Sequence, residues 1–525
     1  MSTLNHRHKL PETIADVLTA ALARNPQHTA LVSRQGRISY AEFESQIEKA
    51  AGALHELGIR KGDRVAGSLP NSTDIVVAFH ATARLGAIWV GVNRQLAGPE
   101  KSFILNDSGA RLLIAEPPIV DDLKAARPNL RLVASTLGAD AKDEWRSLLA
   151  SAGTYQRPSL AYSDPAGLAY TSGTTGRPKG VIHSHRNLLA PGHVQVVTRR
   201  ACGPDIVKVD FLALTILNMV VLSTLLVSQA GGTTVILDTS DAEQIADWIQ
   251  REQATVFQSV PAILHSMIVK DSITPQQLSS LREVLTGSAA TPEPLLHGFK
   301  RKFGLSIVGT YGMTEAPTVL AIEAADGSDH APDSSGKALP HIELFAEGPD
   351  GEPLPPGGVG ELCARPVKSG PWGGLYTLML GYWNKPEATE AALKGGRLHT
   401  GDIGYLDAEG RIYITDRKNL MIIRGGANVY PAEIHRVLAG DPRVADSAAF
   451  GIPDERLGER VVAAVELVPG KTATEEELKG LCEKELARYK VPERIFFVER
   501  FPRNAMNKIV RAELPRLYAE ATRSA

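Results

Sequence analysis

Apolar residues recur at helical spacing from the first turn onward. Ile14, Val17, Leu18, Ala21 and Leu22 would share one face, which predicts a capped amphipathic helix near the start. Short β-branched runs follow: TALVSR from Thr29, RLLIAE from Arg111, GTTVIL from Gly232 and LREVLTG from Leu281. Helical stretches lie between them, such as DAEQIADWIQREQ, where Asp241 can cap the first turn. The alternation predicts an α/β fold with mostly parallel sheets. From about Ser334 the texture changes to Pro- and Gly-rich hairpin signals, GPDGEPLPPGGVGEL and LDAEGRIYI, so a small β-rich subdomain is expected over about 334–416. After Asp416 the runs MIIRG, YPAEIHRVLAG, VADSAAFGI and VVAAVELV form a self-contained βαββ-like pattern. The expected division is therefore a large N-terminal domain, 1–416, and a small α+β C-terminal domain, 417–525.

One apolar run is long enough to cross a membrane, FLALTILNMVVLSTLLVSQA from Phe211 to Ala230. It carries Thr215, Asn218, Ser223, Thr224, Ser228 and Gln229, and no second span follows. An interior helix of a large protein fits it better than a transmembrane segment.

The chain has 525 residues, of which 43% are hydrophobic and 22% charged, enough for several cores. With 57 Lys and Arg against 59 Asp and Glu, the net charge of −2 offers no basic field for nucleic acid. Cys202, Cys363 and Cys482 lie far apart with no CxxC pair, which argues against disulfides or a local zinc site and suits a reducing compartment. The first 25 residues hold no continuous apolar core of a secretory signal, so a cytoplasmic location is expected. A homodimer is compatible with this composition.

The chemistry begins at YTSGTTGRPKG, from Tyr170 to Gly180. A predicted strand, GLAY, precedes it; VIHSHRNLLA, strand-like and then helical, follows. Glycines let backbone approach a ligand, hydroxyls and N–H groups donate, and Lys179 adds charge: the ingredients of a phosphate loop. It is not a Walker loop, because Gly176 is followed by Arg177-Pro178-Lys179-Gly180 rather than by Lys and Ser or Thr. A loop of this kind suits closing over a triphosphate and releasing pyrophosphate.

YTSGTTGRPKGV resembles the phosphate loop of the adenylate-forming superfamily: acyl-CoA synthetases, stand-alone adenylation domains and firefly-type luciferases. SYAEFE, KGDRVA, YGMTEA, GYWNKPEAT, TGDIGYLDAEGRIYITDRKN, RGGANVYPAEIH and PRNAMNKIVR recur in that family's order across nearly the whole chain. The resemblance implies a large N-terminal region and a mobile C-terminal domain. It also implies a two-part reaction: a carboxylate attacks the α-phosphorus of ATP, then a thiol, commonly that of coenzyme A, displaces AMP.

The same resemblance assigns roles. Thr171, Ser172, Gly173, Thr174, Thr175, Gly176 and Lys179 would hold the phosphates. Tyr311 would lie against the adenine with Gly312 beside it, Thr314 would bond the α-phosphate, and Glu315 would hold Mg²⁺, a hard cation that needs few protein carboxylates. Gly287, Ser288 and Ala289 would frame the adenine and acyl group. Asp402 and Arg417 would bind the ribose hydroxyls, and Lys508 would bridge carboxylate and α-phosphate oxygens as a flexible point charge. Asn507 stands where the family usually has Gly, and Asn419 stands at the hinge, where Asp or Lys is common. Arg424-Gly425-Gly426 would meet coenzyme A, though a plain turn between MII and ANVY reads as well.

For the acyl pocket, Leu217-Asn218 stands by position where much of the family carries an aromatic-His gate. Asn218, Val260, Pro261 and Met313 are expected to line it. No acidic residue lies between Phe211 and Gly232, which argues against an amino-acid substrate. The expected partner is a small-molecule carboxylic acid: fatty, alicyclic or aromatic, with the balance toward aliphatic or alicyclic. The competing expectations are an adenylation enzyme loading a carrier protein in trans, a luciferase-like oxygenase, and a non-enzymatic nucleotide-binding module. The ending ATRSA lacks the peroxisomal tripeptide usual in the oxygenases, and a module would have no use for Lys508, Glu315 and the phosphate loop together.

Overall fold

The short β-branched runs form buried strands, as the strands of parallel sheets are. In the computed structural model, strands Thr29–Ser33, Thr233–Ile236, Val207–Asp210, Val256–Ser259, Glu283–Thr286 and Ile307–Met313 lie side by side in that order, every pair parallel. Antiparallel strands flank them, Gly36–Ser39 on one side and Thr318–Ile322 then Ser334–Ala338 on the other. A second sheet runs Gly381–Tyr382, Lys179–Ser184, Pro165–Thr171, Ile88–Gly91, Arg64–Ser68, Leu112–Ala115 and Arg131–Ala134. Its last five strands are parallel, and the phosphate-loop hairpin and Gly381–Tyr382 close it antiparallel. The described residues are 10–124, 130–138, 143–171, 178–287, 293–325, 328, 330–417, 420–424, 427–454, 458–486, 488–503 and 508–523.

The chain forms two compact units: Met1–Leu344 with Cys363–Thr400 and Gly410–Ile412, and Phe345–Leu362 with Gly401–Glu409 and Tyr413–Ala525. In the first, helices Tyr40–Glu56 and Thr73–Arg84 bury Phe43, Ile47, Leu54 and Phe79 against Trp89. Ser39 and Glu42 cap the first of these helices reciprocally, and Asp241 accepts the Gln244 N–H at 2.9 Å to cap Ala242–Glu252, as its position suggested. In the second unit, antiparallel Ile422–Arg424, Ala427–Val429, Val444–Asp454 and Gly458–Leu467 are joined by parallel Arg494–Val498. Helices Pro431–Ala439, Glu475–Glu485 and Leu514–Arg523 complete that unit. The β-rich stretch expected over about 334–416 folds as Ser334–Ala338, Ile342–Glu347, Gly360–Pro366, Leu398–Leu406 and Arg411–Arg417.

Two helices differ from their sequence pattern. The first is divided: Ile14–Asp16 is a 3₁₀ turn and Thr19–Arg24 an α-helix, with Ile14, Val17, Leu18 and Ala21 still buried. Thr13 Oγ1 donates to Asp16 Oδ2 at 2.7 Å, and the Asp16 N–H bonds the Thr13 carbonyl at 3.1 Å, which tightens that turn. The apolar run from Phe211 becomes helical only at Leu217, and passes through a π segment, Val221–Leu225, before ending at Gly231, φ 77°. Its first residues form a bend and a turn, with the Ile216 N–H on the Ala213 carbonyl at 2.9 Å, and a remote side chain holds them. Asn71 donates to the Leu212 and Leu237 carbonyls at 2.9 and 3.0 Å and accepts the Leu214 N–H at 2.8 Å. The Thr215 carbonyl then lies so close to Gly91 that a Cβ there would sit 1.8 Å from it. Among the described residues no helix is long and apolar enough to cross a membrane.

Candidate functional site

The phosphate-loop sequence hangs from an antiparallel hairpin, Pro165–Thr171 with Lys179–Ser184, in which Thr171 pairs with Lys179 and Tyr170 with Gly180. Tyr170 donates to Asp107 Oδ2 at 2.7 Å and steadies one stalk. The other stalk pairs with Gly381–Tyr382, placing Tyr382 opposite Val181. Lys179 Nζ then lies 5.2 Å from the centroid of the Tyr382 ring, and the Tyr382 hydroxyl donates to Glu315 Oε1 at 2.9 Å. Burial, and after it the Glu315 charge, push the Tyr382 phenol well above its ordinary pKa, so it stays a donor. A cation, a phenol and a carboxylate thus stand in a row across three elements.

Thr314 and Glu315 follow strand Ile307–Met313 and are fixed from behind. His183, buried on the second stalk, donates Nε2–H to the Thr314 carbonyl at 2.7 Å. Desolvation lowers the His183 pKa to about 4, so the ring is a neutral donor. Gly312 pairs with Val319 so tightly that a Cβ would lie 1.6 Å from the Thr318 carbonyl. Tyr311 is buried on the same strand. Thr310 Oγ1 donates to the Thr286 carbonyl at 2.9 Å, and the next residue, Gly287, has room for no Cβ, which would fall 2.5 Å from Thr310 Oγ1. Half-buried Val260 and Pro261 follow strand Val256–Ser259, and Met313 ends its own strand. These residues gather where the parallel strands end, the usual place for a ligand in such sheets. Asn218 lies in the first turn of the helix that opens at Leu217, and its Oδ1 is buried with no partner among the described residues.

The other expected residues fall in two groups. Ser172, Gly173, Thr174, Thr175, Gly176, Ser288, Ala289, Asn419, Gly425 and Gly426 lie outside the described residues, as does the Arg417 side chain. Asp402, Arg424 and Lys508 belong to the second unit. Asp402 is buried on Leu398–Leu406 and Lys508 is exposed. Arg424 already has partners there, donating to the Tyr489 carbonyl at 2.8 Å and pairing with Glu493. His183 and Tyr382 were not singled out by sequence reasoning. Tyr382 was within reach as the second residue of GYWNKPEAT, whereas His183 in VIHSH carries no signal apart from its contact.

The row has definite chemistry. Lys179 suits a phosphate oxygen. Glu315 Oε2 takes no protein hydrogen bond among the described residues, which fits an oxygen ligand for a hard divalent cation that keeps its remaining waters. Tyr382→Phe should leave Glu315 Oε1 without its donor. A hydrogen bond to a charged group contributes about 1.5–3 kcal/mol, so kcat/KM for Mg-ATP is expected to fall by about 10- to 100-fold. Steady-state kinetics across a magnesium titration checks this; a change under twofold would place the hydroxyl outside the working site.

The AMP-binding enzyme family model matches residues 18–383, and that of the AMP-binding enzyme C-terminal domain matches 433–508. A long-chain-fatty-acid–CoA ligase of Mycobacterium tuberculosis is 34% identical over 487 residues, 92% of this chain and 93% of that protein. An indoleacetate–CoA ligase of Aromatoleum aromaticum is 35% identical over 503 residues, covering 95% and 96%. Among solved structures, o-succinylbenzoate CoA synthetase of Bacillus subtilis with its acyl-adenylate intermediate superposes with TM-score 0.84 and 30% identity, covering 95% of this chain and 97% of that one. It has also been solved with ATP and a magnesium ion. From the hairpin of residues 165–184 to the C-terminal unit, this chain belongs to the AMP-binding enzyme family.

Proposed function

We propose that the protein is an AMP-forming acid–thiol ligase. It joins a carboxylic acid to ATP, forming an acyl-adenylate and releasing pyrophosphate, and then transfers the acyl group to coenzyme A, releasing AMP. The observation that carries this reading is the row Lys179–Tyr382–Glu315 at the strand ends, in a chain similar along more than nine-tenths of its length to CoA ligases. In this reading Thr171 and Lys179 hold the phosphates with the loop between them, Tyr311, Gly312 and Gly287 the adenine, and Thr314 the α-phosphate. Glu315 is the magnesium ligand. Asp402 and Arg417 take the ribose, and Lys508 is the charge that meets the reacting oxygens.

The proposed working division is 1–416 and 417–525, with Asn419 as the pivot that lets the second domain change its pose between the two half-reactions. Arg424, Gly425 and Gly426 would serve the coenzyme A step, which requires Arg424 to leave Glu493. The acid is apolar over most of its length: Val260, Pro261 and Met313 carry no charge, and the substrates named for the relatives are fatty and aromatic acids. Three buried free cysteines suit a reducing cytoplasm.

ATP–pyrophosphate exchange over a panel of carboxylic acids, with mass detection after coenzyme A is added, tests the whole. Exchange followed by an acyl-CoA product is the expected result. Exchange with no acyl-CoA would move the acceptor to a carrier protein, and no exchange with any acid would overturn the ligase reading.

A further inference from the structure

A small cavity lies inside the first unit. Its walls include Leu222 and Leu226 of the broken helix, Leu285, and three polar side chains, Gln195, Lys208 and Gln258. Lys208 is fully buried and paired with Asp210, two residues along the same strand. Asp210 Oδ2 is buried without a hydrogen-bond partner among the described residues, and burial pushes that carboxyl above the usual range against the pull of Lys208. The Gln258 amide makes no hydrogen bond among the described residues although the residue is only 7% exposed. Polar groups so placed are costly unless something meets them.

Strand register connects this cavity to the acyl site. Lys208 pairs with Val256, and Gln258 with Leu285. Residues two apart in extended chain share a face; Val260, extended just past the end of its strand, follows Gln258, and Gly287, just past the end of its own, follows Leu285, each by about 6.6 Å. Leu222, one helical turn after Asn218, lines the same space. The cavity is therefore the floor of the pocket whose mouth holds Val260, Gly287 and Asn218.

Its size and charge limit what it takes. The space open to the centre of a water-sized sphere is about 10 Å³, room for one water or one oxygen of a ligand. Lys208 and Asp210 together are neutral, so a second carboxylate would bury an uncompensated negative charge and an ammonium a positive one. A hydroxyl or keto oxygen leaves the balance intact, and can accept from Lys208 or Gln258.

We infer that the pocket floor, lined by Gln258 and by Lys208 with its partner Asp210 behind it, selects carboxylic acids that carry one uncharged oxygen at the end remote from the carboxylate. This rests on the ligase reading and names its substrate class: hydroxy or keto acids, linear or alicyclic, over their plain hydrocarbon parents. The oxygen displaces one water, so the preference is set by the exchange of hydrogen-bond partners.

The test is ATP–pyrophosphate exchange with matched pairs, 6-hydroxyhexanoate against hexanoate and 4-hydroxycyclohexanecarboxylate against cyclohexanecarboxylate. The wild type should favour the hydroxy acid of at least one pair by about tenfold or more in kcat/KM, well below the largest discriminations because water can fill the vacancy. Gln258→Leu leaves the ion pair intact and should cut that ratio to under threefold. The double variant K208M/D210L, which removes both charges together, should invert it. Exchange with both members of every pair inside threefold would overturn the inference while leaving the ligase reading intact, and so would variants that keep the wild-type ratio. Exchange with no acid at all would overturn both.

Discussion

Lys508→Ala is expected to lower acyl-adenylate formation by about 10²- to 10³-fold, the loss seen when one donor aimed at developing charge is removed. The effect should fall on the rate rather than on ATP affinity, because a charge that meets oxygens only as the phosphorus is attacked stabilises the transition state more than the ground state. The local structure suits such a group. Arg503 and Ile509 form an antiparallel bridge, and the Val510 N–H bonds the Pro502 carbonyl at 2.8 Å, so the segment is pinned immediately beside Lys508 while the side chain itself stays exposed. Lys508→Arg should recover only part of the loss, since a planar fork does not substitute for a compact ammonium. Transfer of the acyl group from chemically prepared adenylate to coenzyme A should survive both substitutions. Single-turnover assays of the two half-reactions separate these expectations, and adenylation within threefold of wild type in the alanine variant would remove Lys508 from the proposal.

The second large effect is on stability against acid. His80, His183, His185 and His341 are buried in the first unit, and desolvation lowers their pKa values from 6.5 to about 3, about 4, about 4 and about 3. A histidine held neutral in the fold binds fewer protons than in the unfolded chain. Its contribution is therefore fully present above about pH 6.5 and is lost as pH falls toward the folded value. At pH 5 each has lost about 2 kcal/mol, on the order of 8 kcal/mol for the four, which rivals the whole stability of a domain. Buried Asp74 and Asp210, with raised carboxyls, and His330, raised by Glu323 and Glu293 against its own desolvation, act in the opposite sense. The net expectation is a fall in Tm on the order of 10 °C between pH 7.5 and pH 5.0 for the first unit, followed by calorimetry. His341→Phe should narrow that fall. Its ring nitrogens have no hydrogen-bond partners among the described residues and its ring meets Tyr376 edge-on at 5.6 Å, a contact phenylalanine can keep. A Tm that is flat across this range would show that the four rings take up protons without unfolding.

Periodicity made much of the architecture legible. The runs at residues 29, 111, 232 and 281 are strands of the two sheets, and Asp241 caps the helix it precedes. What stayed hidden depended on contacts remote in sequence. Asn71, more than a hundred residues away, takes the backbone partners that would have let the apolar run become helical from Phe211. VKVD, residues 207–210, alternates like a half-solvated strand but is buried inside the sheet, where its Lys and Asp pair with each other. At the site, the composition of the loop pointed to Lys179 and the family resemblance to Thr314 and Glu315, yet neither tells that Tyr382 reaches Glu315 or that His183 fixes Thr314. Those contacts follow from which strands become neighbours.

The pairing of Thr171 with Lys179 fixes a length scale. Residues paired across an antiparallel ladder lie about 5 Å apart. Thr171 and Lys179 are held at that spacing by their own backbone partners, so they cannot be drawn apart without opening the hairpin. A ligand that met both would be gripped across a fixed width.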